Sequence, residues 1–226
     1  LVLFRTNFRN TVYDSMRCRP GWRHTDSDLD WDFNWADVGW IRDYLDHIRL
    51  DEHQRVNHFK NHYELTRKDL LVKNVMRMKK QLERADAHDE AAKYGFLPQS
   101  FVLPGDYGLF VEAFKRDPGH TWIMKPIGKA QGRGIFLFTK LSEIKDWKKD
   151  WKWDPKSSQA ETYIAQRYIE NPYLIGGKKF DLRMYALVTS FSPLTVWLYR
   201  SGFARFSGQR YSSVKDDIDN LCTPVV

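Results

Sequence analysis

Two short apolar runs, residues 121–125 (TWIMK) and 134–138 (GIFLF), bracket a loop that carries Gly128, Gly132, Lys129 and Arg133, with Gly134 opening the second run. Each run is too short for a stable helix and rich in strand formers, so the segment reads as paired strands closed by a glycine-rich turn. Glycines let backbone N–H groups come close to a ligand, and the cations supply charge suited to phosphate. The loop is not a Walker A motif. It has no Gly-Lys-Ser/Thr, and a strand follows where a helix would be needed. A hairpin lid over a nucleotide and an ordinary glycine-rich hairpin both fit.

The surrounding pattern is strand-rich. Strands are expected over residues 99–103, 121–125, 134–138, 162–168, 180–190, 195–199 and 202–206, the last three as a meander turning at Ser192-Pro193. Residues 107–116 read as a helix, and Ser142 caps a short helix towards Trp147. Helices packed on one face of such strands give an α+β fold. The first third reads as a small α/β unit, with strands over 2–5 and 30–35 and helices over 10–17 and 38–48. Residues 65–84 form the clearest helix. Thr66 and Asp69 resemble a capping box, and Leu71, Val75, Met78 and Leu82 share one face. Lys73, Arg77, Lys80 and Arg84 repeat that spacing on the other side, as a solvated back or as a docking strip for an acidic partner. Polar loops are expected over 84–93 and 148–159.

Composition narrows the class. The chain has 226 residues, 42% hydrophobic and 29% charged, enough for a sizeable core and too apolar for a disordered chain. No run approaches the roughly 20 apolar residues of a bilayer span. Residues 1–10 lack a signal-peptide pattern, and Cys18 and Cys222 alone make neither a disulfide framework nor a cysteine zinc site, which points to a reducing compartment. The chain starts at Leu1, so a fragment of a longer product is expected. A net charge of +7 favours anionic partners.

Three further constellations carry chemistry. Gln166-Arg167-Tyr168-Ile169 ends a strand before Pro172, where backbone could meet an adenine edge. Gly176-Gly177 precedes Lys179-Phe180-Asp181-Leu182-Arg183, whose three charges alternate onto one strand face and need partners or a charged ligand. Arg205 lies among apolar residues, as a snorkelling side chain or a ligand contact.

In this order, Lys125-Pro126 with the glycine loop, Gln166 to Ile169, and Gly176 to Arg183 resemble the tubulin tyrosine ligase-like family, which has an ATP-grasp fold. Asn57-His58-Phe59, the run from Asn61 to Asp69, and Val72-Lys73-Asn74 are similar to its amino-terminal region. The resemblance implies an ATP-grasp-like α+β fold with an N-terminal domain over 1–94 and a partial, truncated nucleotide-binding domain over 95–226. Lys125 would contact ATP phosphate, Gln131 and Gly132 would belong to the lid, and Gln166, Arg167, Tyr168 and Ile169 would be the hinge. Lys179, Phe180 and Asp181 would line the pocket. Arg205, with Arg183, would bind phosphate or the reacting carboxyl.

The implied reaction is ATP-dependent ligation of the tubulin polyglutamylase type. A glutamate side chain on an acidic tubulin tail is activated as an acyl phosphate and then joined to free glutamate. The implied setting is cytoplasmic, on the cytoskeleton, in the axoneme of a cilium or flagellum or at its basal body, with no membrane partner. The Lys73, Arg77, Lys80, Arg84 strip would meet the tail. The family continues with a later motif that holds Mg²⁺. Here Leu221-Cys222-Thr223 is followed by Pro224-Val225-Val226, so the magnesium ligands are expected beyond the chain and this 226-residue form is expected to be inactive. Asp216, Asp217 and Asp219 read as a surface turn, and His58 with His62 as structural. A non-catalytic microtubule-binding or regulatory form is the alternative. A nucleic-acid module, suggested by charge and by Trp147, Trp151 and Trp153, has no motif behind it.

Overall fold

The computed structural model describes residues 1–129, 133–144 and 162–212. The chain divides into two compact units, Leu1–Thr66 and Arg67–Val226.

The first unit is built on a parallel sheet in the order β2-β1-β3-β4, with β1 at Val2–Thr6, β2 at Trp22–His24, β3 at Phe33–Trp35 and β4 at Arg55–Val56. Parallel neighbours need crossovers. The helix α1 (Thr11–Arg17) lies between β1 and β2, α2 (Val38–Tyr44) between β3 and β4, and the single turn α3 (Tyr63–Thr66) ends the unit. Each helix starts where a short polar side chain takes an orphan N–H. Asn10 Oδ1 accepts from Val12 N at 3.0 Å, and Asp37 Oδ1 from Trp40 N at 2.7 Å. Phe4, Met16, Trp31 and Ile41 are buried. The buried Gln54 donates to the carbonyls of Leu29 and Trp31 and holds the approach to β4. His58 and His62 each bond a backbone carbonyl, Ala36 O and Phe59 O, both at 3.1 Å.

The second unit centres on an antiparallel sheet in the order β5-β8-β6-β7: Ser100–Leu103, Tyr163–Arg167, Trp122–Pro126 and Phe136–Phe138. Alternation along these strands sorts their side chains. Phe101, Leu103, Trp122, Met124, Phe138, Tyr163 and Ala165 face α6 (Tyr107–Arg116), whose Phe110 is fully buried among them. Val102 and Ile164 face the other way and pack on Val72 of α4 (Lys68–Arg84). Helices thus cover both faces, where one was expected. The reason lies in Val102 of β5 and Ile164 of β8, apolar residues on the face away from α6 that need cover.

Helix α4 departs from its expected face. Val72 and Val75 are buried, while Met78 is 41% exposed. Only the N-terminal half reaches the sheet, so the sequence stripe overstates the buried face. The capping box does not form. Arg67 occupies the cap without a side-chain cap bond. It clasps Asp69 instead, Nε to Oδ1 at 2.9 Å and Nη2 to Oδ2 at 2.6 Å. Val72 packs on Val102 and Ile164, so α4 lies with the sheet in the compact unit that begins at Arg67. A short helix α5 (His88–Ala92) packs on α4 within the segment read as a loop.

The strand expected over 180–190 is two strands, β9 (Phe180–Arg183) and β10 (Ala186–Phe191). The meander is replaced by a nested arrangement. Strand β9 pairs with β12 (Phe203–Phe206), and the β10–β11 hairpin lies between them in sequence, with β11 at Leu194–Leu198. A side chain at Gly202 would run into the backbone carbonyl of Arg183, so this crossing requires glycine. Ser142 falls in a 3-10 turn, Leu141–Ile144. The loop expected over 148–159, the tryptophans at 147, 151 and 153, and Asp216, Asp217 and Asp219 lie outside the described residues.

Candidate functional site

Beyond the part of the sheet covered by α4, a cleft of about 210 Å³ opens. Its walls include Ile123 and Lys125 of β6, Gln166 of β8, the segment Arg167 to Ile169, and Lys179, Phe180 and Asp181. Strand parity accounts for the first three. Ile123, Lys125 and Gln166 alternate with the α6-facing residues and emerge on the opposite face.

A polar relay crosses three strands at the floor. Lys125 Nζ donates to Gln166 Oε1 at 3.0 Å, and Gln166 Nε2 donates to Ser100 Oγ at 2.8 Å. The Ser100 hydroxyl donates to Pro98 O at 2.7 Å. The half-buried lysine is therefore aimed by one neutral acceptor, and no carboxylate neutralises it in this relay.

The opposite wall is delivered by a tight turn. Gly176 and Gly177 have φ of 60° and 72°, and Ile175 and Lys178 exchange both backbone bonds at 3.1 Å. This is the left-handed two-residue turn that glycine pairs favour. It sets Lys179 over the cleft, where Nζ lies 4.7 Å from the Tyr168 ring centre and donates to its hydroxyl at 3.0 Å. Asp181 and Arg205 are register partners on β9 and β12, joined by two bonds at 2.7 and 3.0 Å. The Asp181 side chain is 13% exposed. Phe180 stacks on Phe206, with ring centres 5.5 Å apart.

Charge is concentrated at this site. Burial, then the charges of Lys68 and Lys179, push the Lys125 ammonium down to about 8. Burial also lowers Lys179, with Asp181 opposing. Pairing with Asp181 raises the Arg205 guanidinium. Lys68, which the sequence reading did not single out, donates from α4 to Pro126 O and Lys129 O, both at 3.0 Å. It holds the start of the glycine loop. Gly134, at φ 72°, closes that loop, and a side chain there would press on Pro126 and Lys129. Mutually repelling lysines around an uncharged acceptor favour an anionic ligand.

Eight expected nucleotide contacts therefore meet in one cleft: Lys125, Gln166, Arg167, Tyr168, Ile169, Lys179, Phe180 and Asp181. Arg205 joins through Asp181. The Arg167 guanidinium, however, points away from the cleft. It lies on the α6 side of β8, where Nη1 pairs with Asp117 at 2.9 Å and Nη2 donates to His120 Nε2 at 2.5 Å. His120 Nδ1 bonds Glu170 at 3.3 Å, and Glu170 accepts the Thr121 N–H at 2.7 Å. Burial alone would raise the Glu170 carboxyl, but these bonds outweigh it and hold it low. Arg167 is thus a brace behind the end of β8. Arg183, at the exposed end of β9 opposite Phe203, is not among the cleft walls. Gln131 and Gly132 lie outside the described residues. Lys73, Arg77, Lys80 and Arg84 are all exposed on α4.

The cleft fits a nucleotide in kind: an apolar slot beside a strand end, with cations at one side. A divalent ion finds no comparable seat. Among the described residues no group of three or more His, Cys, Asp or Glu could hold one, and Asp181 is engaged by Arg205. No helix among the described residues is long and apolar enough to cross a membrane.

The family model described as "Tubulin-tyrosine ligase family" matches residues 47–223. "Probable tubulin polyglutamylase TTLL9" of Rattus norvegicus is 49% identical over 100% of this chain and 56% of the relative. "Probable tubulin polyglutamylase ttll-9" of Caenorhabditis elegans is 47% identical over 97% of this chain and 51% of the relative. "Probable alpha-tubulin polyglutamylase Ttll1" of Tetrahymena thermophila is 44% identical over 96% and 56%. The chain spans about half the length of these curated relatives. The fold is α+β and ATP-grasp-like, and the chain belongs to the tubulin-tyrosine ligase family.

Proposed function

We propose that this chain carries the nucleotide-binding part of an ATP-dependent ligase that adds glutamate to glutamate side chains of tubulin. The observation that supports it most is the approach of Lys125 and Lys179 to one cleft whose other wall is a hinge-like strand end. The base would lie against Tyr168 and Ile169, with the phosphates towards Lys125, Lys68 and the glycine loop. Lys179 and the Asp181–Arg205 pair would face the reacting groups.

In this reading a substrate carboxylate oxygen attacks the terminal phosphorus of ATP, and ADP leaves. The amine of free glutamate then attacks the acyl carbon, phosphate leaves, and the amine proton passes to solvent or phosphate. A carboxylate needs that activation because oxide is a poor leaving group. The cations stabilise charge that builds on the transferred phosphoryl group, which is the main catalytic need of such a step. Mg²⁺ would screen the phosphates when present, but no described residue is assigned to it. Action on tubulin would place the protein on the cytoskeleton, including that of cilia and flagella.

The test is glutamate transfer to tubulin with ATP, Mg²⁺ and glutamate, scored by mass spectrometry. It is run with the chain alone and with a chimera in which the chain replaces the matching half of the rat relative. ATP-dependent transfer by either, lost in Lys125→Met, supports the reading. A chimera that binds tubulin and folds, yet transfers nothing while the rat relative does, contradicts it.

A further inference from the structure

We propose that the outer face of α4 is a docking rail for an extended acidic segment of the protein substrate. Lys73, Arg77, Lys80 and Arg84 are all exposed. At about 100° per residue they fall within an arc of roughly 60° on the helix. Val72 and Val75 are buried on the side that packs against the sheet. Helix rise puts the four cations about 6, 4.5 and 6 Å apart, some 16 Å in all. An extended peptide rises about 3.3 Å per residue, so alternate side chains are about 6.6 Å apart. Every second residue of such a segment would meet a cation.

A helix face that merely needs water is usually laced with opposite charges four residues apart. Here like charges occupy those positions, Lys73 with Arg77 and Lys80 with Arg84. Among the described residues, Lys73, Lys80 and Arg84 have no ion-pair partner, and Arg77 bonds only the neutral Asn74 amide. The helix dipole rewards a cation in the last turn, which accounts for Arg84 but not for Lys73 or Arg77. A polyanion laid along the row would relieve the repulsion. Met76, 41% exposed, flanks the row and offers it an apolar edge. No aromatic residue on α4 offers a base a stacking surface, so a peptide fits better than RNA.

The rail leads to the cleft. Its first cation, Lys73, lies about 7 Å along the helix axis from Lys68, and Lys68 grips the glycine loop. That end of the inference rests on the ligase reading; the docking itself does not.

The test measures binding of a fluorescent octaglutamate peptide to the 226-residue chain by anisotropy, at low and high salt. ATP affinity and melting temperature are measured in parallel. Lys73→Glu with Lys80→Glu is predicted to weaken peptide binding at least tenfold, with ATP affinity and melting unchanged. Lys73→Arg with Lys80→Arg should retain binding. Lys115→Glu with Arg116→Glu on α6 makes the same change in net charge and should leave binding close to wild type. Equal losses in the two glutamate variants, or displacement of the peptide by a short RNA at lower concentration than by unlabelled peptide, would overturn the rail. Peptide binding without ATP binding would leave the rail standing and remove the ligase reading.

Discussion

Lys125 is held by Gln166, Nζ to Oε1 at 3.0 Å, across the β6–β8 pairing in which Lys125 stands opposite Ile164. Among the described residues this half-buried ammonium donates to a neutral amide and to no carboxylate, so its charge is kept available. Replacing it with Met removes a desolvated charge and keeps the side-chain volume. The variant is predicted to melt no lower than wild type at pH 7. It should lose nucleotide affinity by roughly 10- to 100-fold, the scale of one charge-assisted bond. Thermal melts and ATP titrations check both halves.

The same lysine makes nucleotide binding depend on pH. Its folded value, about 8, lies below the ordinary lysine value of roughly 10.4. Between these the unfolded chain binds more protons, so the contribution of Lys125 to stability rises with pH across that window. Below pH 8 both states are protonated and the cost of burial is constant. A bound polyphosphate favours the ammonium, so binding near pH 8 to 9 should take up protons. Calorimetry in two buffers of different ionisation enthalpy reads that uptake, and Lys125→Met should abolish most of it.

Arg167 and His120 separate positioning from contact. Because the guanidinium pairs with Asp117 and His120 behind the sheet, Arg167→Ala is predicted to lower the melting temperature by several degrees. The drop in ATP affinity should be smaller than in Lys125→Met. Arg167→Lys should recover part of the stability through Asp117. A large affinity loss with an unchanged melt would return Arg167 to the nucleotide.

The Asp181–Arg205 pair predicts a non-additive cycle. Arg205→Ala leaves a largely buried carboxylate without its guanidinium, and Asp181→Asn removes that charge. The double variant should therefore be more stable than Arg205→Ala alone. Denaturant melts of the four proteins measure it.

The β10–β11 hairpin bears Leu187, Leu194, Trp197 and Leu198, each more than 60% exposed. Such a patch predicts self-association or dye binding at micromolar concentration. Leu187→Ser with Trp197→Ser should reduce both, as sedimentation and hydrophobic-dye fluorescence would show.

Much of the second unit was legible because local signals agreed there. The helix Tyr107–Arg116 matches its expected span, and β6 and β8 match theirs to within one residue. The cleft followed because strand parity sends Lys125 and Gln166 to one face. The same parity applied to Arg167 would have sent it to the face of Tyr163 and Ala165, a signal present but not used. Lys68 could not be read, since its bonds reach 58 and 61 positions along the chain. Nor could the β9–β12 pairing, because β10 and β11 carry apolar residues on both faces and periodicity fixes no register for them.

The central claim is that this cleft binds ATP through Lys125 and Lys179. Its most direct test is equilibrium ATP binding at pH 7 by the chain, by Lys125→Met and by Lys179→Met, each shown folded by its melt. Saturable binding by the wild type, weakened at least tenfold in both variants, is the predicted result. Wild-type affinity in both variants, or no saturable binding by the folded chain, would contradict the account.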